Sequence, residues 1–198
     1  ERIRHREEIL AAALRVFAAK GFHNASMQEI AFEAEFAIGT LYNFFASKEA
    51  LFDELVEASG ERIVGNIMAV LDRPGTEVER LTGYFRSLPG QLEENAPFIK
   101  LYVSELGMGG AKIAGRQREP KVKTVLTARI RDLIQAGIRR GLFRPVDAEM
   151  AAIAINSTVE TLAFEMAGQF DRGKATKLFA SVERLFLDEL LRTGESQD

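Results

Sequence analysis

Residues 26–52 read SMQEIAFEAEFAIGTLYNFFASKEALF, and the order of caps, apolar positions and breaks in that string decides the fold. Ser26 stands three residues ahead of Glu29. At that spacing a hydroxyl accepts from a free backbone N–H of the first helical turn while the carboxylate reaches back to the cap. Ile30, Ala31 and Ala34 give the short helix that follows its buried side. A short break then leads to Ile38-Gly39-Thr40-Leu41-Tyr42-Asn43-Phe44-Phe45. Leu41 and Phe45 lie one helical turn apart and point into one core, while Thr40, Asn43 and Phe44 cluster on the outward side. Ser47 caps a long helix from Lys48 to about Leu71. Two short helices joined by a tight turn, the second presenting small polar groups outward, describe a helix-turn-helix. Such a second helix enters the major groove and reads base edges, while contacts to phosphates fix its register.

Working outward, the helical period persists almost everywhere and strand signals are nearly absent. Ile9, Ala12, Ala13, Val16 and Phe17 form one face of a preceding helix that Gly21 should stop. Downstream, Asp72-Arg73-Pro74-Gly75 ends the long helix. A helix from about Thr76 to Asn95 carries Pro89, which predicts a kink, and Ala96 to Leu106 forms another. The glycine-rich, basic stretch 107–120 reads as a mobile loop. Lys121 to Gly141 is amphipathic, with Val122, Leu126, Ile130, Leu133, Ile134 and Ile138 on one side. Helices from about Ala148 to Gln169 and Lys174 to Thr193 close the chain. The expected fold is all-α with about nine helices. A DNA-binding domain is expected over residues 1–47, and a ligand-binding and dimerisation domain over 48–198.

Composition sets limits. Hydrophobic residues make up 46% and charged residues 28% of 198, enough for a packed core without staples. Cysteine is absent, which removes disulfides, thiolate catalysis and cysteine-based zinc sites. No run approaches the roughly 18–20 apolar residues of a membrane span, and the first residues lack the apolar core of a signal peptide. A cytoplasmic protein without cofactor or metal is expected. The net charge of −3 gives no support for nucleic-acid binding. In the first fifty residues Arg2, Arg4, Arg6, Arg15, Lys20 and Lys48 face Glu1, Glu7, Glu8, Glu29, Glu33, Glu35 and Glu49. A DNA contact must therefore come from the placement of groups. Arg2, Arg4 and Arg6 form either a disordered tail or an arm along the phosphates or minor groove.

The string from Ile30-Ala31 through Gly39-Thr40-Leu41-Tyr42-Asn43-Phe44-Phe45-Ala46-Ser47-Lys48-Glu49-Ala50-Leu51-Phe52 resembles the signature of the tetracycline-repressor (TetR) family. Ala18-Ala19-Lys20-Gly21-Phe22 and Ser26 match upstream, so the close resemblance covers about residues 7 to 56. It implies that Tyr42 and Lys48 touch backbone phosphates. It also implies that Ile38, Thr40, Asn43 and Phe44 lie at the base-reading face, beside Ala37 and Gly39 at the start of the recognition helix. Ser26, Met27 and Gln28 fall where the family meets phosphate and sometimes a base. Three departures stand out. Glu35 occupies a turn position usually held by glycine, where a left-handed backbone costs roughly 1 kcal/mol or more. Ala37 replaces the usual Ser or Thr cap of the recognition helix, a loss on the order of 1 kcal/mol. Ile38 replaces a polar or basic residue, and either meets a thymine methyl group or folds back on the core. Phe44 is open between base face and core.

The second domain has two candidate jobs. Leu178, Phe179, Val182, Leu185, Phe186 and Leu190 form an apolar stripe on the last helix. The helix before it is apolar on nearly every side, with Ala152, Ala163, Ala167 and Gly168 allowing close approach. The resemblance implies a twofold homodimer through these last two helices, hence a near-palindromic double-stranded operator. A small hydrophobic or aromatic effector is the second expectation, in a cavity lined by Phe85, Phe98, Tyr102, Met108 and Phe164. Asn156 and Glu160, four apart on one helix face, would be its polar handles, with Glu105 a further candidate; Glu160 is open to the alternative of a bond across the dimer interface, and core packing is the alternative reading of each aromatic. Such an effector would release a repressor from DNA by favouring badly spaced recognition helices, with the fourth helix as lever. The rival readings are a protein of the same fold without small ligand, and an enzyme. His5 and His23 both lie outside the second domain, and the Gly107–Lys112 stretch lacks phosphate-loop spacing, so catalysis is not expected.

Overall fold

The computed structural model describes residues 1–106 and 121–191. Among these the chain forms eight α-helices: α1 (Arg2–Asn24), α2 (Met27–Glu33), α3 (Ile38–Phe44), α4 (Lys48–Leu71), α5 (Glu77–Leu106), α6 (Lys121–Arg139), α7 (Ala148–Met166) and α8 (Arg172–Leu191). The all-helical expectation holds, but nine helices become eight described ones. Pro89 and Pro97 both sit inside one continuous helix, α5. Each removes a single backbone hydrogen bond. Phe85, Leu88, Leu92, Phe98 and Leu101 are buried along the same helix, so packing on either side of the gaps holds it together. The predicted loop at 107–120 lies outside the described residues.

The chain divides into two compact units. The first comprises residues 1–61 with 95–106; the second comprises 62–94 with 121–191. The first unit therefore runs past residue 47 and takes in the start of α4 and the last turns of α5. Its core gathers Ile9, Ala13 and Phe17 of α1, Ile30 and Ala31 of α2, Leu41 and Phe45, and Leu51, Phe52 and Leu55 of α4. Leu101 of α5 joins them. Phe17, Phe22 and Phe52 meet edge-on or tilted at 5.0–5.7 Å between ring centres, the separations aromatic pairs prefer.

In the second unit α6 packs on α7, burying Leu126, Ile130, Leu133 and Ile134 against Ala152, Ile155 and Val159 as the period predicted. Asp147 caps α7 by accepting from the Met150 N–H at 3.0 Å. At the end of α6 the Leu142 N–H donates to the Gly137 carbonyl and the Gly141 N–H to that of Ile138, with Gly141 at φ 70°. This is the glycine-closed helix terminus in which a left-handed residue turns the chain.

Candidate nucleic-acid interface

The geometry of the helix-turn-helix follows from its caps. Ser26 Oγ accepts from the Glu29 N–H at 3.2 Å, and Glu29 Oε2 accepts from the Ser26 N–H at 2.9 Å, so both halves of the predicted box form. Lys20 pairs with the other Glu29 oxygen. These bonds, first from Lys20 and then from Ser26, hold the Glu29 carboxyl down at about 2. A carboxylate whose folded value is depressed stabilises the fold above its unfolded value and loses that effect as pH falls through the folded one. The expected outcome is an acid-side loss of α2 helicity between about pH 4.5 and pH 2. Helicity followed against pH should lose this component in Glu29→Gln.

At the other end of α2 the Phe36 N–H donates to the Ala31 carbonyl and the Glu35 N–H to that of Phe32. Glu35 has φ 59°, the left-handed geometry that glycine adopts without strain. Ala37 is the N-cap residue ahead of α3, and its side chain offers no cap. The two departures from the family pattern are thus real local costs. Ala37→Ser is expected to raise stability by about 1 kcal/mol, read as an upward shift of the thermal midpoint of the free protein.

Around these supports α3 presents one face outward. Leu41 and Phe45 are fully buried, whereas Tyr42 is 52% exposed. Asn43, Gly39, Ala37 and Gln28 are exposed, and Ser26 and Thr40 are half-buried. Ile38 is exposed rather than folded back on the core. Two residues of the expected DNA-binding set sit elsewhere. Met27 belongs to the core of the first unit, because the first position of α2 faces α1, and only its backbone remains near the helix start. Phe44 is half-buried; its ring meets His5 edge-on at 6.5 Å and lies under the Arg2 guanidinium at 5.8 Å. It packs α3 on the start of α1.

Lys48 behaves differently from a free phosphate contact. Its ammonium donates to the carbonyls of Phe22, Ala25 and His23 at 2.7, 2.9 and 3.3 Å and sits 4.6 Å above the Phe22 ring. It closes the segment between α1 and α2. Nor are the early arginines a tail or a loose arm: they are helical from Arg2, Arg4 pairs with Glu8, and Arg6 pairs with Glu54 of α4. These pairings offset the charge of Arg4 and Arg6.

The effector candidates do not gather in one unit. Phe98, Tyr102 and Glu105 belong to the first, while Phe85, Asn156, Glu160 and Phe164 belong to the second; Met108 lies outside the described residues. Phe85 is fully buried and stacks on Phe186 at 6.2 Å. Asn156 is buried and donates to Thr127 Oγ1 at 2.9 Å, and Glu160 and Phe164 are half-buried. Phe98 and Tyr102 meet at 6.0 Å, and Glu105 accepts from the Phe22 N–H at 3.0 Å. A shallow depression of about 440 Å³ lies elsewhere, on α1 and α2, beside Phe32 and Gln28. The sequence reading missed Tyr84. Its hydroxyl is buried in the second unit without a hydrogen-bond partner among the described residues, and burial pushes its ionisation upward. Nothing in a Tyr-Phe pair on a helix distinguishes such a group from an ordinary core tyrosine.

Comparison with known proteins adds independent findings. Residues 9–55 match the family described as bacterial regulatory proteins, tetR family, and residues 77–180 match the tetracyclin repressor-like C-terminal domain. The HTH-type transcriptional repressor KstR2 of Mycobacterium tuberculosis is 27% identical over 159 residues, 77% of this chain and 76% of that one. The HTH-type transcriptional regulator UidR of Escherichia coli K12 is 44% identical over 57 residues, 29% of each chain. Among solved structures, the fatty acid degradation regulator FadR from Bacillus halodurans superposes with a TM-score of 0.75 at 24% identity, over 92% of this chain and 94% of that one. FadR from Bacillus subtilis in complex with stearoyl-CoA gives 0.72 at 20% identity, over 93% and 98%.

Proposed function

The chain belongs to the tetracycline-repressor family of bacterial regulatory proteins; on that premise we propose that it is a DNA-binding transcriptional repressor, as KstR2 is named, and we propose how it engages DNA and what releases it. The observation that carries the reading is α3. Leu41 and Phe45 lock the helix into the core while Tyr42, Asn43 and Ile38 face out. We assign Tyr42 to a phosphate, and Thr40, Asn43 and Ile38 to base edges, with the Ile38 side chain suited to a thymine methyl group. Ser26, Gln28 and the backbone of Met27, opening α2, approach a second phosphate. The protein acts as a binding protein in the cytoplasm, and no catalytic step is assigned to it.

Exposed apolar side chains support pairing of two copies. Met150 and Ile153 on α7 and Leu185 and Leu191 on α8 are 39–67% exposed. Covering them in a twofold dimer places two recognition helices against a near-palindromic operator. Selection of bound sequences from random duplexes should return an inverted repeat. A single half-site, or equal recovery of all sequences, would count against it.

For release we propose an apolar effector, with a long acyl chain as the first class to test. Two observations support it: the buried, unpartnered Tyr84 hydroxyl in the second unit, and the stearoyl-CoA complex of Bacillus subtilis FadR, whose fold this chain shares. Thermal melting with acyl-CoAs of graded length, alongside aromatic compounds, tests it. The expected result is a rise in midpoint with one class and release of the selected duplex by that same class. No stabilisation by any compound would favour the same fold acting without a small ligand.

A further inference from the structure

The segment 21–26, which leads into the helix-turn-helix, is held at one residue, Phe22, by two charged side chains of opposite sign. Gly21 interrupts α1 with φ 77° and ψ 163°, a backbone geometry confined essentially to glycine. The interruption turns the Phe22 N–H out of the α1 bond pattern, and Glu105 Oε1 accepts from it at 3.0 Å. On the far side of the same residue the Phe22 carbonyl accepts from Lys48 at 2.7 Å. The fit is close at this point, since a Cβ on Gly21 would stand 3.2 Å from that Glu105 oxygen. Phe22 itself is buried in the core, so its backbone cannot shift without moving the ring. From Ala25, whose carbonyl Lys48 also holds, the chain passes directly into the Ser26 cap of α2.

We propose that Glu105 is a positioning residue for DNA binding. By accepting from the Phe22 N–H it sets where α2 begins, and through the short turn at 34–37 it sets how α3 is presented. Glu105 stands in the last turn of α5, a helix whose residues 77–94 are counted in the second unit and whose residues from 95 onward are counted in the first. The proposal rests on the DNA-binding reading of α3 and adds a residue that touches no nucleic acid.

The test uses the full chain and the duplex returned by selection. Binding constants are measured for the folded fraction of wild type, Glu105→Gln, Glu105→Ala and, as a destabilising control in the same core, Leu55→Ala. Glutamine keeps an acceptor at the same reach and is expected to bind within about threefold of wild type. Glu105→Ala is expected to lose about tenfold or more, with faster amide exchange at Phe22. Leu55→Ala is expected to lower the melting midpoint while its folded fraction binds like wild type. Should Glu105→Ala not fold, Glu105→Met, similar in length but without the acceptor, takes its place and carries the same expectation. The proposal is overturned if the acceptor-free variant binds as wild type does while Tyr42→Ala is weakened, an outcome that leaves the DNA reading intact. It is also overturned if Leu55→Ala loses as much affinity as Glu105→Ala. If wild type shows no preference for any duplex, the DNA reading falls and the proposal with it.

Discussion

Lys48→Met is expected to destabilise the first unit by about 2–4 kcal/mol. The methionine keeps the length and apolar stem of lysine, so packing changes little. What disappears is the ammonium that serves the carbonyls of Phe22, His23 and Ala25. Two of these bonds are only partly buried, so each falls near the low end of the cost of an unserved buried acceptor, about 1–1.5 kcal/mol. The contact above the Phe22 ring contributes a further 0.5–1 kcal/mol or so. Chemical denaturation of the free protein reads the loss directly, with no DNA present. A second measurement separates this role from the phosphate contact implied by family resemblance. Each phosphate neutralised by a lysine steepens the fall of log affinity with log salt by about 0.9. A lysine spent on carbonyls leaves that slope unchanged. Unaltered stability together with a shallower salt dependence would return Lys48 to the phosphates.

Lys48 also shows why parts of the site were legible in the sequence and parts were not. The Ser26–Glu29 box and the inward pair Leu41 and Phe45 depend on residues within one turn of each other, so local spacing predicts them. The strained Glu35 and the bare cap at Ala37 follow from the family resemblance, and the structure has each of the four. The partners of Lys48 lie 23–26 residues away, that of Arg6 lies 48 away and that of Glu105 lies 83 away. No local pattern announces such pairs. The burial of the Met27 side chain was not legible for a related reason, since the burial of a residue at a helix start depends on which neighbour covers it. The expected break between Asn95 and Ala96, just ahead of Pro97, is absent because α5 buries apolar residues on both sides of it, which outweighs one missing hydrogen bond. The aromatic effector candidates rest on residue type, and aromatic side chains on core helices serve packing as readily as a cavity.

Tyr42→Ala is expected to have the opposite profile: little change in stability and a large loss of DNA affinity. The side chain is 52% exposed and belongs to no core cluster, so its removal should alter folding by no more than about 0.5 kcal/mol. A hydrogen bond to a charged group such as a phosphate is worth about 1.5–3 kcal/mol. The proposed dimer makes that contact at both half-sites, so the losses combine to at least about 3 kcal/mol, on the order of a hundredfold in affinity. Tyr42→Phe isolates the hydroxyl, and it should retain the packing share and lose most of the rest. Because tyrosine carries no charge, the salt slope should stay as in wild type, whereas the intercept falls. The loss should also be uniform across operator variants, since a phosphate contact carries no base preference. Asn43→Ala should instead weaken binding unevenly, most at one base pair of each half-site. A Tyr42→Ala protein that folds, pairs and holds the selected duplex as tightly as wild type would remove α3 as the reading element. The exposed face between Ile38 and Asn43 would then need another partner.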